Sequence, residues 1–169
     1  PVSDEKIAHW LDVRGFGVFD GLLLEAGGGP GKALSLVEYG EEDRARIRTE
    51  FMGALGGTMD GLLDYGEMLT KGSRNQWRSR VDRVLDMAEG LVRDLVMIEA
   101  GRDSSELANA QESDRLSLWA TTLGTNGTCA LLEALSSARS DLRANVNGRL
   151  VMDTLLSRWA RALGASRKS

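Results

Sequence analysis

Residues 27–33 read Gly-Gly-Gly-Pro-Gly-Lys-Ala and carry the glycines and the lysine with which a phosphate-binding loop holds a nucleotide. Such a loop also needs a glycine five residues before the Gly-Lys pair, a Ser or Thr after the lysine, and a preceding hydrophobic strand. Ala26 and Ala33 occupy the first two of these positions, and no strand pattern comes before them. The segment is therefore expected to be a tight turn that leads into a helix beginning at Pro30. An enzyme with a nucleotide site at 27–32 is kept only as a third hypothesis.

Histidine, cysteine and carboxylate residues are the other types that could support catalysis or metal binding. His9 is the only histidine, so the chain does not have the residues for a metal cluster of several histidines, and a catalytic triad would depend on this single side chain. We expect His9 to lie at the surface or at a boundary. Cys129 is the only cysteine, which excludes an internal disulfide, fits a reducing compartment and predicts a small buried side chain. Carboxylates such as Glu41, Glu42 and Asp43 cluster at predicted helix starts, where they complement the helix dipole. We therefore predict no catalytic residue, no metal site and no cofactor, and expect that the chain is not an enzyme.

The charge pattern argues against direct binding to nucleic acids and to membranes. The formal net charge is -4, so no overall basic field is available to neutralise phosphates. Arginines 74, 78, 80 and 83 share their helix with Asp82, Asp86 and Glu89, which predicts a solvated face with charge pairs. Neither a signal peptide nor a run of roughly 20 apolar residues is recognisable. The expected location is the cytoplasm.

The hydrophobic periodicity predicts an all-helical chain. A first helix begins after Ser3 and carries Ile7, Trp10 and Leu11, a short second one carries Phe19, Leu22 and Leu23, and a third begins at Pro30. Longer helices are predicted over 41–55, 58–69, 74–100, 114–123 and 125–143, and a last one from Asn147. Residues 101–111 are expected to form a polar loop. The change at 39–40, from short elements separated by glycines to longer ones, indicates a joint between two units.

Two stretches of the chain resemble the delta-prime subunit family of the bacterial DNA polymerase III clamp loader. The first is 23–34, Leu-Leu-Glu-Ala-Gly-Gly-Gly-Pro-Gly-Lys-Ala-Leu. In that family a Gly-x-Pro-Gly-basic-Ala-Leu turn opens the last helix of the AAA+ lid domain. The residues that match this pattern are Gly28, Pro30, Gly31, Lys32, Ala33 and Leu34.

The second stretch is 142–150, Leu-Arg-Ala-Asn-Val-Asn-Gly-Arg-Leu, followed by Asp153, Leu155 and Leu156. Collar domains of clamp loaders have a similar Asn-x-Asn turn before a helix patterned Leu-x-x-Glu-x-Leu-Leu. Asn145 and Asn147 match the turn, whereas Asp153 stands where glutamate is usual. Between the two stretches, 91–98 is similar to a collar helix that often contains Leu-x-Arg-Asp-Leu-Leu. The matches occur in the order of the family and span most of the chain.

The resemblance implies a division into the end of an AAA+ lid domain at 1–39, a helical collar of five to six helices at 40–163, and a frayed tail at 164–169. It also implies that the ATPase domain is missing and that the chain is a fragment of a longer protein. In the ATP-hydrolysing subunits the turn reads Gly-Ser-x-Arg-Asp-Ala, and its phosphate-sensing arginine corresponds to Gly31. A glycine cannot reach a phosphate, so the resemblance is to the non-hydrolysing subunit, and Lys32 is not expected to act as a sensor.

The partners that the resemblance implies are the tau/gamma ATPase subunits and the delta subunit, with DNA reached only through the whole complex and no membrane involved. Amphipathic helices with apolar anchors would hold such a ring. Candidate anchors are Trp119, Leu135, Leu150 and Trp159, and for each of them the alternative is that it fills the core. The alternative function is a free-standing helical adaptor or regulatory domain whose likeness to a collar reflects general helix-bundle patterning.

Overall fold

The computed structural model describes residues 2–18 and 21–164, and all regular secondary structure within them is helical. This confirms the all-α prediction; the collar type stays a prediction. Predicted helical residue Phe19 and most of the predicted tail, 165–169, lie outside the described residues. The elements are α1 (Asp4–Val13), α2 (Leu22–Ala26), α3 (Pro30–Tyr39), α4 (Glu41–Gly56), α5 (Met59–Thr70), α6 (Arg74–Glu99), α7 (Ser113–Arg143) and α8 (Gly148–Ala162), with 3-10 turns at Ser104–Glu106 and Ala110–Glu112.

The first three helices share a small apolar core of their own. It consists of Ile7, Leu11, Leu22, Ala26, Ala33 and Leu36. Pro30 is the first residue of α3, where its missing N–H is not needed and its fixed φ suits a helix. Gly27 and Gly28 both have positive φ, at 57° and 77°, which glycine adopts without steric cost. The glycine turn thus reverses the chain between α2 and α3, as the sequence predicts.

Helices α4 to α8 enclose a second, larger core. The long helix α6 packs against α4, α5 and α7, and α8 packs against α5 and α7. The apolar positions predicted for α6 are confirmed: from Val81 to Leu95 they are buried, whereas Trp77 and Ile98 at the two ends are partly buried. Phe51 on α4 meets Trp159 on α8 edge-to-face, with ring centroids 5.2 Å apart and an interplanar angle of 76°. This aromatic pair joins the first and last helices of the larger core.

Helix α7 is interrupted at Gly124, where φ is 57° and ψ is 176°. The sequence predicts separate helices over 114–123 and 125–143, and the interruption falls between these two ranges. The larger core therefore contains five helices by continuity of the chain, or six helical segments when the two halves of α7 are counted separately.

The segment after α6 differs from the predicted polar loop. Leu107, Ala108 and Asn109 are buried, and Asp94 on α6 accepts hydrogen bonds from the backbone of Ala108 and Asn109. Its Oδ1 accepts a hydrogen bond from Ala108 N at 3.0 Å, and its Oδ2 accepts from Asn109 N and Nδ2, each at 2.8 Å. Arg48 on α4 donates to Asn109 Oδ1 at 3.2 Å. A polar network thus fixes this segment on the core.

The prediction that Cys129 is buried is wrong. Its thiol is exposed, whereas the neighbouring Thr128 and Leu131 are buried. The buried side of α7 passes through 128, 131 and 135, so position 129 lies about 100° away from it. His9 is exposed on α1, in agreement with its predicted surface position.

Candidate interaction site

The turn that resembles a phosphate loop is held by backbone hydrogen bonds to the segment before α1 and to α3. Gly28 O accepts a hydrogen bond from Val2 N at 3.1 Å, and Gly29 O accepts from Ala33 N at 2.9 Å. A Cβ added at Gly31 would meet no atom within 4 Å, so this position has open space beside it. Lys32 is partly buried and lines a narrow crevice between α3, α4 and α6.

Arg44 also lines this crevice, and burial together with the nearby charge of Arg48 lowers the pKa of Arg44 to about 10. A crevice that Lys32 shares with Arg44 and Asp86 does not resemble a nucleotide-phosphate cradle, in which the lysine acts together with the amides of its own loop. Among residues 2–18 and 21–164, no three His, Cys, Asp or Glu side chains are grouped so that they could hold a metal ion.

The Asn-x-Asn turn connects α7 to α8 and fastens both to α6. Asn147 caps α8, since its Oδ1 accepts from the backbone N–H of Arg149 at 2.9 Å and of Leu150 at 3.2 Å. Asn145 has a positive φ of 62°, which asparagine tolerates better than most residues. Its Oδ1 accepts from Arg74 Nη2 and, at 3.1 Å, from Arg78 Nη2. Both asparagines predicted from the sequence therefore have structural contacts.

An open cleft of about 370 Å³ lies over this turn, and we call it the arginine cleft. Its lining consists of Thr70, Arg74, Trp77, Arg78, Asn145, Val146, Asn147, Gly148 and Arg149. The Trp77 ring lies directly against Gly148, where an added Cβ would come within 2.7 Å of the ring carbons. Glycine at 148 thus allows the beginning of α8 to approach α6.

A second depression, of about 150 Å³, runs between α7 and α8, and we call it the α7–α8 groove. The small buried side chains of Ala134 and Ala138 lie on its α7 side. On its other side Leu150 is 61% exposed and Val146 is 38% exposed. Val146 lines both the groove and the arginine cleft, so the two depressions meet at the Asn-x-Asn turn.

The four candidate anchors differ in how far they are buried. Leu135 and Trp159 belong to the core, with 1% and 0% of their surface exposed, so the core alternative holds for these two and they are not available to a partner. The reason is helical phase, since Leu135 is on the buried side of α7 and Trp159 packs against Phe51. Trp119 is partly buried against the core, and Leu150 is exposed at the groove.

Sequence reasoning missed both depressions. The arginine cleft is built from the end of α5, the beginning of α6, the 145–147 turn and the beginning of α8, which lie far apart along the chain. One local signal was present: Val146 stands between two asparagines in a turn, where an apolar side chain has no core position to occupy.

No protein-family model, curated protein or solved structure matches this chain. In the described part of the chain, none of the helices combines the length and the apolar character that crossing a membrane requires. The resemblance to clamp-loader subunits therefore rests on the matched sequence positions alone.

Proposed function

We propose that this chain is a non-catalytic scaffold, formed by the end of the AAA+ lid and the helical collar of a clamp-loader delta-prime subunit. In this role it joins tau/gamma and delta neighbours in the cytoplasmic ring that loads a sliding clamp during DNA replication. The ordered sequence matches at 23–34, 91–98 and 142–156 support the family part of the proposal. The glycine at position 31, where the ATP-hydrolysing subunits have an arginine, supports the non-hydrolysing type.

The α7–α8 groove is the structural observation that supports a scaffold role. Single exposed apolar residues are ordinary on protein surfaces and need no explanation. Here, however, Leu150 and Val146 stand beside a depression whose opposite side carries the small residues Ala134, Ser137 and Ala138, followed by Asp141. Such a groove accepts the apolar side chains of a partner helix, while the exposed Leu150 packs on that helix. A contact of this kind joins unlike faces of neighbouring subunits, which is what a ring requires.

Size exclusion with light scattering tests the proposal. The chain is mixed with the collar regions of the ATPase and delta subunits, and we expect co-elution at a defined stoichiometry with at least one of them. Leu150→Glu should abolish this co-elution. Leu118→Glu is the matched control, because Leu118 is 65% exposed and does not line the groove.

Two results would contradict the proposal. A monomer peak with every partner would reject the clamp-loader assignment and leave the adaptor hypothesis. An equal loss of co-elution in both variants would reject the groove as the contact surface.

A further inference from the structure

Two guanidinium groups in the arginine cleft share one neutral oxygen. Arg74 Nη2 and Arg78 Nη2 both donate to Oδ1 of Asn145, and Arg78 Nη2 also donates to Leu142 O at 2.6 Å. Arg78 Nε is buried and has no hydrogen-bond partner within the described part of the chain. A guanidinium has five N–H donors in a planar fork that fits the two oxygens of a carboxylate. Arg78 Nε is too buried to meet a ligand, so the donors that the cleft offers are those of the exposed Arg74 guanidinium, of which only Nη2 has a partner among the described residues.

The charge balance of the cleft is positive in a chain whose formal net charge is -4. Its described lining includes three arginines and no aspartate or glutamate. Arg149 is already neutralised, since its Nε is 2.7 Å from Asp153 Oδ2 and its Nη1 is 3.1 Å from Glu67 Oε2. Arg78 interacts electrostatically with Asp82 on the same helix, so Arg74 is the lining arginine that has no carboxylate partner among the described residues.

The surroundings of these two arginines favour a peptide over a nucleic acid. The flat ring of Trp77 forms an apolar wall, and Val146 connects the cleft to the α7–α8 groove. A segment that lies in the groove can thus extend an acidic residue into the cleft. Binding along a phosphate backbone would instead need a row of several unpaired cations. Here Arg74 and Arg78 lie close together, and Arg78 already interacts with Asp82.

We propose that the arginine cleft binds an acidic peptide segment of a protein partner, whose carboxylate accepts hydrogen bonds from Arg74. This inference rests on the proposed function in one respect, namely that the partner is a protein whose chain lies in the α7–α8 groove and continues into the cleft. It adds the chemistry of that segment: apolar residues for the groove, next to one or more Asp or Glu residues for the cleft.

A titration followed by NMR tests this inference on the chain alone. The ¹⁵N-labelled chain receives a blocked hexaglutamate peptide at low salt, and the Arg74 and Arg78 Nε–H and Trp77 indole signals are followed. We expect saturable shifts of these signals that weaken in 0.5 M NaCl, because exposed charge pairs are screened by salt. Arg74→Gln should weaken binding at least tenfold, and combining it with Arg78→Gln should remove it.

Arg161→Gln is the matched control. It removes the same charge from the other end of α8, about 18 Å along the helix from Arg149 at 1.5 Å per residue. Its affinity for the peptide should equal that of the unmodified chain. Because Arg78 also binds Leu142 O, its replacement can disturb the fold; Arg74 is exposed, so Arg74→Gln alone decides the result.

Three outcomes would overturn the inference. They are the absence of shifts at the cleft with several millimolar peptide, unchanged affinity in Arg74→Gln, and stronger binding of a dT12 oligonucleotide than of the peptide at the same signals. The last outcome would make the cleft a phosphate site. Since no clamp-loader subunit is present in this titration, its failure is separate from a failure of the co-elution experiment.

Discussion

The carboxylate of Asp94 binds residues 108 and 109 in the connection between α6 and α7. Asp94 is fully buried, and it accepts three hydrogen bonds from Ala108 and Asn109, at 2.8 to 3.0 Å. Two of these bonds satisfy the backbone N–H groups of Ala108 and Asn109. Both residues are buried, as is the neighbouring Leu107. Replacing Asp94 with asparagine preserves the shape of the side chain, removes its charge and turns one acceptor oxygen into an NH₂ donor.

The expected cost follows from counting these bonds. In Asp94→Asn the amide oxygen can keep the two bonds from Asn109, but the NH₂ group then faces the N–H of Ala108. One hydrogen bond to a charged group, worth about 1.5–3 kcal/mol, is lost, and a buried donor is left unsatisfied. We expect the free energy of unfolding to fall by about 2–4 kcal/mol. With a urea slope of about 2 kcal/mol/M, the midpoint shifts by about 1–2 M.

Urea unfolding followed by circular dichroism measures this change, and amide hydrogen exchange of Ala108 and Asn109 locates it. Asp103→Asn is the control, because Asp103 Oδ1 accepts from Ser105 N at 2.9 Å in the same segment but is exposed. An amide oxygen caps this turn equally well, so its effect should stay within about 0.5 kcal/mol. A stability change within that margin for Asp94→Asn, or amide exchange of Ala108 and Asn109 as slow as in the unmodified chain, would contradict this role of Asp94.

Three further substitutions or measurements test other contacts. Gly148→Ala would place a Cβ 2.7 Å from the Trp77 ring, so it should lower the free energy of unfolding, measured in urea, by about 1–3 kcal/mol. The control is Gly53→Ala on α4, which has open space around it and should not lower the free energy of unfolding. The Tyr65 hydroxyl is buried without a partner among the described residues, so Tyr65→Phe should keep or raise stability by up to about 1 kcal/mol. Burial raises the pKa of Tyr65 above its usual 10, so this residue does not make stability depend on pH below pH 10, and it lowers the stability of the fold progressively above pH 10. Tyr65→Phe should therefore not reduce the native absorbance rise at 295 nm between about pH 9 and 11. Cys129, being exposed, should react with Ellman's reagent in the native chain about as fast as in urea; a protected thiol would contradict its placement.

The parts of the fold that could be predicted from the sequence depend on local interactions. Pro30 begins α3, Thr58 caps α5 by accepting from Gly61 N at 3.2 Å, and Asn147 caps α8. Each of these residues acts on backbone groups within three positions of itself, so its effect is visible in the neighbouring sequence. The apolar repeat of α6 is visible for a related reason, because one helix repeats the same buried face over 26 residues.

The parts that could not be predicted depend on contacts between distant residues or on helical phase. The burial of Asn109 requires an acceptor on Asp94, 15 residues earlier, and a carboxylate within an apolar stripe does not reveal its partner. On α7 the interruption at Gly124 resets the phase of the helix, so the apolar neighbours of Cys129 do not show which side is buried. The arginine cleft exists only once α5, α6 and α8 have been brought together.

Most of the sequence positions that match the clamp-loader family are accounted for by folding alone. Asn145 and Asn147 form and cap a turn, and Leu155 and Leu156 are buried in the core. Leu150, the first leucine of the same pattern, differs because 61% of its surface is exposed, so the bundle does not need an apolar side chain there. A helix bundle without a partner would tolerate a polar residue at this position.

Leu150→Glu therefore separates a scaffold from a free-standing helical domain. The glutamate would lie in the first turn of α8, where the helix dipole favours an anion, so the free energy of unfolding should change by less than about 0.5 kcal/mol. Co-elution with the collar partner should nevertheless be lost, because a charged group would replace the exposed apolar side chain at the edge of the α7–α8 groove. Unchanged stability together with unchanged co-elution would show that Leu150 makes no contact with a partner. A large loss of stability would instead show that Leu150 supports the fold.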